Sequence, residues 1–137
     1  MRRRQPSEPD MTTAINAADA TVTEIAAGGF HLVADTTPPH GAGAGFRPHQ
    51  LLEAALASCM AITLRMVATE RGIALKTAAV SVELDRSREA ETVFRTTVDL
   101  DGDLSDGDRR LLLAAVERCP VRRTLSRQLV FPAATAA

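Results

Sequence analysis

An α+β fold is predicted by three features of this sequence. Short β-type runs come in pairs, a long apolar helix separates the pairs, and strands and helices do not alternate one by one as in a doubly wound sheet. The architecture expected is two β-hairpin regions around a long central helix, in the order β-β-α-β-β-α-β.

The first pair lies in "TVTEIAAGGFHLVADT", where Thr21 to Ala26 and Phe30 to Thr36 are joined across Gly28-Gly29 as a hairpin. "TPPHGAGAGF" follows, a Pro- and Gly-rich stretch unable to hold regular structure and placed directly before the long helix, where mobile loops often border sites. Pro48 suits a first helical turn and Gly72 an exit, which predicts a helix over about 48–71. Leu52, Ala55, Leu56, Cys59, Ile62, Thr63 and Met66 share one face of it; Leu51, Ala54, Ala61, Leu64 and Ala68 cover much of the rest. A helix apolar nearly all round must be surrounded, and a small chain has little with which to surround it, so a partner subunit is expected.

The second pair of runs, "AAVSVELDRS" and "TVFRTTVDLDG", alternates apolar and polar residues about a turn near Arg88 to Glu91. Ser105 is the expected N-cap of the next helix, with Asp106 and Asp108 in its first turn and Leu111, Leu112, Ala115 and Val116 on its apolar face. "PVRRTLS" restarts a helical turn, and "RQLVF" is expected to close the fold as a strand. Residues 1–18 have no period and are expected to form a flexible arm, residues 19–132 a single domain, and residues 133–137 a disordered tail.

Bulk properties exclude several function classes. The 137 residues carry 16 basic and 17 acidic side chains, a formal charge of -1, so no polyanion is implied and nucleic acid is not an expected partner. The run Leu51 to Leu64 is interrupted by Glu53 and ends at Arg65, short of the roughly 20 apolar residues of a membrane span. "MRRRQPSEPD" has basic residues without an apolar stretch behind them, so the cytoplasm is the expected compartment. His31, His40 and His49 fall on a strand, a loop and a helix start, and the Asp99, Asp101, Asp103 run lacks the glycine and glutamate of a calcium loop, so no metal and no cofactor are expected.

Chemistry centres on two cysteines, Cys59 and Cys119. A free cysteine in an apolar helix is most simply a small buried hydrophobe. In a reducing compartment, however, a cysteine pair is more often catalytic or redox-sensing than a structural disulfide. Cys59 lies about three turns, on the order of 16 Å, from the helix start, beyond the reach of the helix dipole, so a thiolate there requires a neighbouring cation. Candidates for stabilising it are Arg47, His49, Gln50, Arg122 and Arg123. Pro120 at a first helical position makes Cys119 an N-cap facing free N–H groups, which predicts that Cys119 is the more acidic thiol.

Two stretches carry a family resemblance. "RPHQLLEAALASCMAITLRMVATERG" resembles the helix that bears the first cysteine of the OsmC/Ohr family (osmotically inducible protein C / organic hydroperoxide resistance), and "LDGDLSDGDRRLLLAAVERCPVRRTLS" resembles its second-cysteine segment. The likeness spans about Phe30 to Phe131. It implies an OsmC-like fold, an intertwined homodimer in which sheet from both chains wraps the central helices. It also implies a thiol-dependent, peroxiredoxin-like organic hydroperoxide reductase, with Cys59 as the peroxidatic and Cys119 as the resolving cysteine. Its partners would be an organic hydroperoxide and a dithiol reductant, lipoyl or thioredoxin-like. The sequence departs from the strongly active members, which have a glutamate directly after the helix-start proline and an arginine from the N-terminal part. Here His49 and Gln50 follow Pro48, and no arginine occurs between Arg4 and Arg47. It is closer to the OsmC-like subgroup, and the alternative function is a non-catalytic dimer that binds a small apolar ligand or senses oxidants.

Overall fold

The computed structural model describes residues 11–137, so the arm expected over 1–18 falls largely outside the described residues. Its last part is not an arm: Thr13–Asn16 form a strand, β1. Four residues have no strand stability of their own, and the open edge of the next strand supplies the partner groups. The chain gathers into two compact units, one reaching to Leu52 and the other spanning Glu53–Ala137.

In the first unit, β2 (Thr23–Ala27) and β3 (Phe30–Ala34) form the predicted hairpin, and β1 adds to β2, giving the antiparallel order β1-β2-β3. The hairpin closes at the pair Ala27 and Phe30 across Gly28 and Gly29, whose φ values of 57° and 84° suit glycine. Thr21, expected inside a strand, instead donates its hydroxyl to the buried Asp35 carboxylate at 2.6 Å. The same carboxylate accepts the N–H groups of Thr36 at 2.8 Å, Ala44 at 3.0 Å and Ala42 at 3.2 Å. The glycine-rich loop is thereby folded around one charge. Its hydrogen bonds, led by that from Thr21, hold the Asp35 pKa below the usual carboxylate value, against an opposing contribution from burial.

Helix α1, Pro48–Arg71, coincides with the predicted span, and from Glu53 on it belongs to the second unit. Gly72, at φ 62°, ends it in a Schellman turn: the Ile73 N–H donates to the Ala68 carbonyl at 2.9 Å and the Gly72 N–H to that of Thr69. β4 (Leu75–Asp85) and β5 (Val93–Gly102) pair antiparallel. Their alternation puts Ala78, Val80, Val82, Phe94 and Val98 against the core and leaves Ser81, Glu83, Arg95 and Thr97 exposed. Arg65 of α1 donates to the Leu75 and Lys76 carbonyls, both at 2.8 Å, and so ties the helix to the start of β4. Helix α2 (Asp106–Val116) has Ser105 as N-cap in a reciprocal capping box with Asp108, and α3 (Pro120–Leu125) has Cys119 as N-cap.

The core of this unit holds Leu56, Met60, Leu64, Ala68, Leu75, Leu100, Leu112, Val116 and Cys119. The buried side of α1 is therefore the ridge Leu56, Met60, Leu64, Ala68, stepping by four; of the face drawn through Leu52, Ala55, Leu56, Cys59, Ile62, Thr63 and Met66 only Leu56 lies on it. Ile62 and Met66 of that predicted face stay 60% and 58% exposed, because the hairpin and the two short helices cover only the other side. By length and composition α1 is apolar enough to cross a membrane, more so than the interrupted run suggested. Its packing, with a full ridge in a core of strands and helices, is that of a core helix. The expected last strand is absent: Leu129, Val130 and Phe131 are exposed and unpaired by backbone hydrogen bonds among the described residues.

Candidate thiol site

Cys59 and Cys119, 60 positions apart in sequence, meet in the second unit. Cys59 is half-buried and packs against the core that contains Cys119. On α1 it occupies the seam between the buried ridge and the exposed stripe of Ala55, Ile62 and Met66, since a residue one position before Met60 lies about 100° round the helix from it. Thr63 donates its hydroxyl back to the Cys59 carbonyl at 2.8 Å, a local bond that leaves the sulfur free of that side chain.

Cys119 is fully buried, and both cysteines are free thiols, near enough for the Cys59 thiol to act on that of Cys119. Its place as N-cap is as predicted; its acidity is not. Burial, the largest effect, pushes the Cys119 thiol up, and the nearby Cys59 thiol adds to this. The Arg122 and Val121 N–H groups face the sulfur and favour its thiolate, but neither closes into a cap hydrogen bond and burial outweighs them. The sequence shows the cap donors, whereas the desolvation comes from burial in a core drawn largely from α1, β4, β5 and α2.

The five predicted stabilisers separate. Arg47, His49 and Gln50 belong to the first unit, where the Gln50 side-chain Oε1 accepts the Arg47 backbone N–H at 3.0 Å as half of a capping box at the helix start. Arg122 and Arg123 belong to the thiol-bearing unit. Arg122 is engaged with Glu117, donating to its carboxylate at 2.9 Å and to its carbonyl at 3.0 Å. Arg123 makes no side-chain hydrogen bond or ion pair among the described residues, and no guanidinium contributes to the setting of Cys119.

A cleft of about 240 Å³ in the same unit is lined by Leu56, Met60, Thr92, Phe94, Thr96, Arg122, Leu125 and Ser126, and by neither cysteine. The sequence reading missed it, although the spacing of Thr92, Phe94 and Thr96 by two already placed them on one face of a strand. A larger cavity, about 420 Å³, lies on the sheet of the first unit among Ile15, Val22, Glu24 and Val33, and it contains no nucleophile.

The family model described as OsmC-like protein matches residues 41–132, a span that contains both cysteines. The chain belongs to the OsmC-like family. Among solved structures, an OsmC-like protein from Mycoplasma pneumoniae is 22% identical with a TM-score of 0.72, covering 87% of this chain and 88% of its own. An organic hydroperoxide resistance protein OsmC from Legionella pneumophila is 22% identical with a TM-score of 0.60, covering 89% and 92%. At these identities the likeness is one of fold, and it agrees with the α+β arrangement of a long helix and two antiparallel sheets. No curated protein matches the chain.

Proposed function

We propose that this OsmC-like protein is a thiol-dependent peroxidase for organic hydroperoxides. The observation that carries the proposal is the meeting of Cys59 and Cys119 as free thiols in one core. The half-buried Cys59 thiolate attacks the terminal peroxide oxygen; the O–O bond breaks, the alcohol leaves with a proton, and the sulfur becomes a sulfenic acid. The Cys119 thiol then displaces that oxygen as water, forming the Cys59–Cys119 disulfide, and an external dithiol reduces the pair by two exchange steps. The apolar seam around Cys59 suits a lipophilic peroxide better than hydrogen peroxide. Both thiols being free accords with work in the reducing cytoplasm.

We further propose that the active form is a homodimer, because the exposed apolar stripe of α1 needs a cover that the second unit does not provide. Within the thiol-bearing unit Arg123 is the candidate cation for the Cys59 thiolate, since Arg122 is engaged with Glu117.

The engagement of Gln50 in the cap and of Arg122 with Glu117 also favours a second reading, a non-catalytic dimer that senses oxidants or binds a small apolar ligand. Consumption of cumene hydroperoxide by the reduced protein with dihydrolipoamide or a thioredoxin system separates the two. Turnover is expected; its absence with every dithiol would leave the second reading standing.

A further inference from the structure

We propose that Arg118, Arg123 and Arg127 form a docking surface for a protein that carries its dithiol within an acidic face. The proposal rests on the peroxidase reading, in which such a dithiol reduces the Cys59–Cys119 disulfide after each turnover.

Charge is spread unevenly along the chain. Four of the 16 basic side chains, Arg118, Arg122, Arg123 and Arg127, fall within residues 118–127, and none of the 17 acidic ones does. Glu117 is the last acidic residue of the sequence, and Arg122 already engages it at 2.9 Å. The other three arginines are exposed and make no side-chain hydrogen bond or ion pair among the described residues.

Arginines that serve the fold of this unit have visible partners. Arg65 holds the Leu75 and Lys76 carbonyls, Arg109 reaches the Leu100 carbonyl, and Arg95 pairs with Asp85. Arg118, Arg123 and Arg127 have no such task. A single unpaired arginine is an ordinary surface residue, but here three flank one buried thiol. Arg118 directly precedes Cys119, the Arg123 backbone N–H donates to the Cys119 carbonyl at 3.1 Å, and the Arg127 N–H donates to the Thr124 carbonyl at 3.3 Å, one turn further on. Their like charges repel one another until a counter-charge arrives from outside.

The kind of counter-charge follows from the exposure and the number. Three exposed guanidinium groups enclose no polar site for a small carboxylate. They are also few beside the roughly 6–10 phosphate contacts of a well-held nucleic acid. An open patch of this size speeds encounter more than it strengthens binding, which suits the brief, small-area contact of two redox proteins. Because Cys119 is fully buried, the carrier's first thiolate attacks the half-buried Cys59 sulfur. The Cys59–Cys119 bond breaks, a mixed disulfide forms on Cys59 and Cys119 leaves as a thiolate that takes up a proton. The carrier's second thiol then displaces Cys59, so the carrier ends as a disulfide and both protein thiols are restored.

The experiment follows reduction of the oxidised full-length protein by two synthetic Cys-x-x-Cys peptides, one flanked by glutamates and one by lysines, and by dithiothreitol. Each rate is normalised to that with the neutral hydroxyethyl disulfide. At low salt the acidic peptide should react about tenfold faster than the basic one, and the advantage should fade as salt is raised. Arg118→Gln combined with Arg127→Gln should remove most of this preference and leave the rate with dithiothreitol unchanged; Arg123 stays in place because of its proposed role at the thiolate. Arg118→Glu combined with Arg127→Glu should turn the preference toward the lysine peptide, which a merely structural role would not do. The single substitutions repeat the comparison should a double variant not fold. Equal rates for the two peptides, or an unchanged preference in the folded variants, would overturn the docking surface. Saturable binding of a short DNA duplex at physiological salt, lost in the glutamine variant, would overturn the partner class. Cumene hydroperoxide supplies the oxidised protein; should it not be consumed, the peroxidase reading fails, and diamide forms the disulfide on which the peptide rates still decide the patch. A cysteine pair that neither oxidant joins would overturn the proposal as well.

Discussion

Cys119 is the residue at which local and tertiary electrostatics oppose each other. An N-cap sulfur meets N–H groups that lower its pKa, yet its burial raises it, and the net shift is upward. A thiol whose pKa lies above its unfolded value of about 8.5 holds its proton more tightly in the native state, so that contribution to stability is present below that pH and is lost as pH rises through the folded value. Iodoacetamide should therefore label the half-buried Cys59 first in the reduced native protein. Labelling of Cys119 should need either unfolding or pH above about 8.5, as mass spectrometry of the two peptides would record. If Cys59 is the nucleophile, Cys59→Ser should consume no peroxide even in a single turnover, whereas Cys119→Ser should consume about one equivalent and stop as a sulfenic acid. Asp35 has the opposite sign. Its carboxylate is held ionised by Thr21 and by loop N–H groups, so its contribution is present above the unfolded value of about 3.9 and is lost as pH falls through the lower folded one. The amide proton shifts of Ala42 and Ala44 should titrate with a midpoint below about 3.9.

At the scale of elements, α1 shows how a core selects one face from a helix that offers several. Leu64 is fully buried in the ridge facing the β4–β5 hairpin, where Arg65 carries out a second function by holding the Leu75 and Lys76 carbonyls. Removing the Leu64 side chain leaves a cavity in a packed core, and Leu64→Ala should cost about 2–5 kcal/mol in urea denaturation. Ile62→Ala, two residues away but exposed in the single chain, separates the intrachain core from the proposed interface. It should cost far less than Leu64→Ala in a monomer and a comparable amount if a partner covers it.

For the whole molecule the apolar surface sets the expectation. Ile62 and Met66 on α1 and Ile15 and Phe30 on the three-stranded sheet are exposed large hydrophobic residues. Each unit thus leaves large apolar side chains exposed, the kind of surface on which the proposed association rests. Sedimentation equilibrium at micromolar concentration should return the mass of two chains, and a folded species of one chain's mass would sink the dimer. A stable dimer of this type buries a large apolar interface, so dissociation should accompany unfolding.

The sequence by itself determined the elements whose signals are local. The ends of α1 were legible in Pro48 and Gly72, the cap of α2 in Ser105, the first hairpin in Gly28-Gly29 and the second in the period-two runs, because capping, φ > 0 and alternation act over a few residues. It also marked both cysteines and, through the motifs around them, the family. Only the tertiary structure decided which face of α1 is buried, that Thr13–Asn16 become a strand while Leu129 to Phe131 do not, and that Arg122 answers to Glu117 instead of a thiol. It decided as well that Cys119 is a buried, weakly acidic thiol despite its cap. Apart from the Arg122–Glu117 pair, which is five positions apart, the deciding free energy in these is a pairing or a desolvation between different elements of the fold, which no periodicity or neighbouring motif can encode.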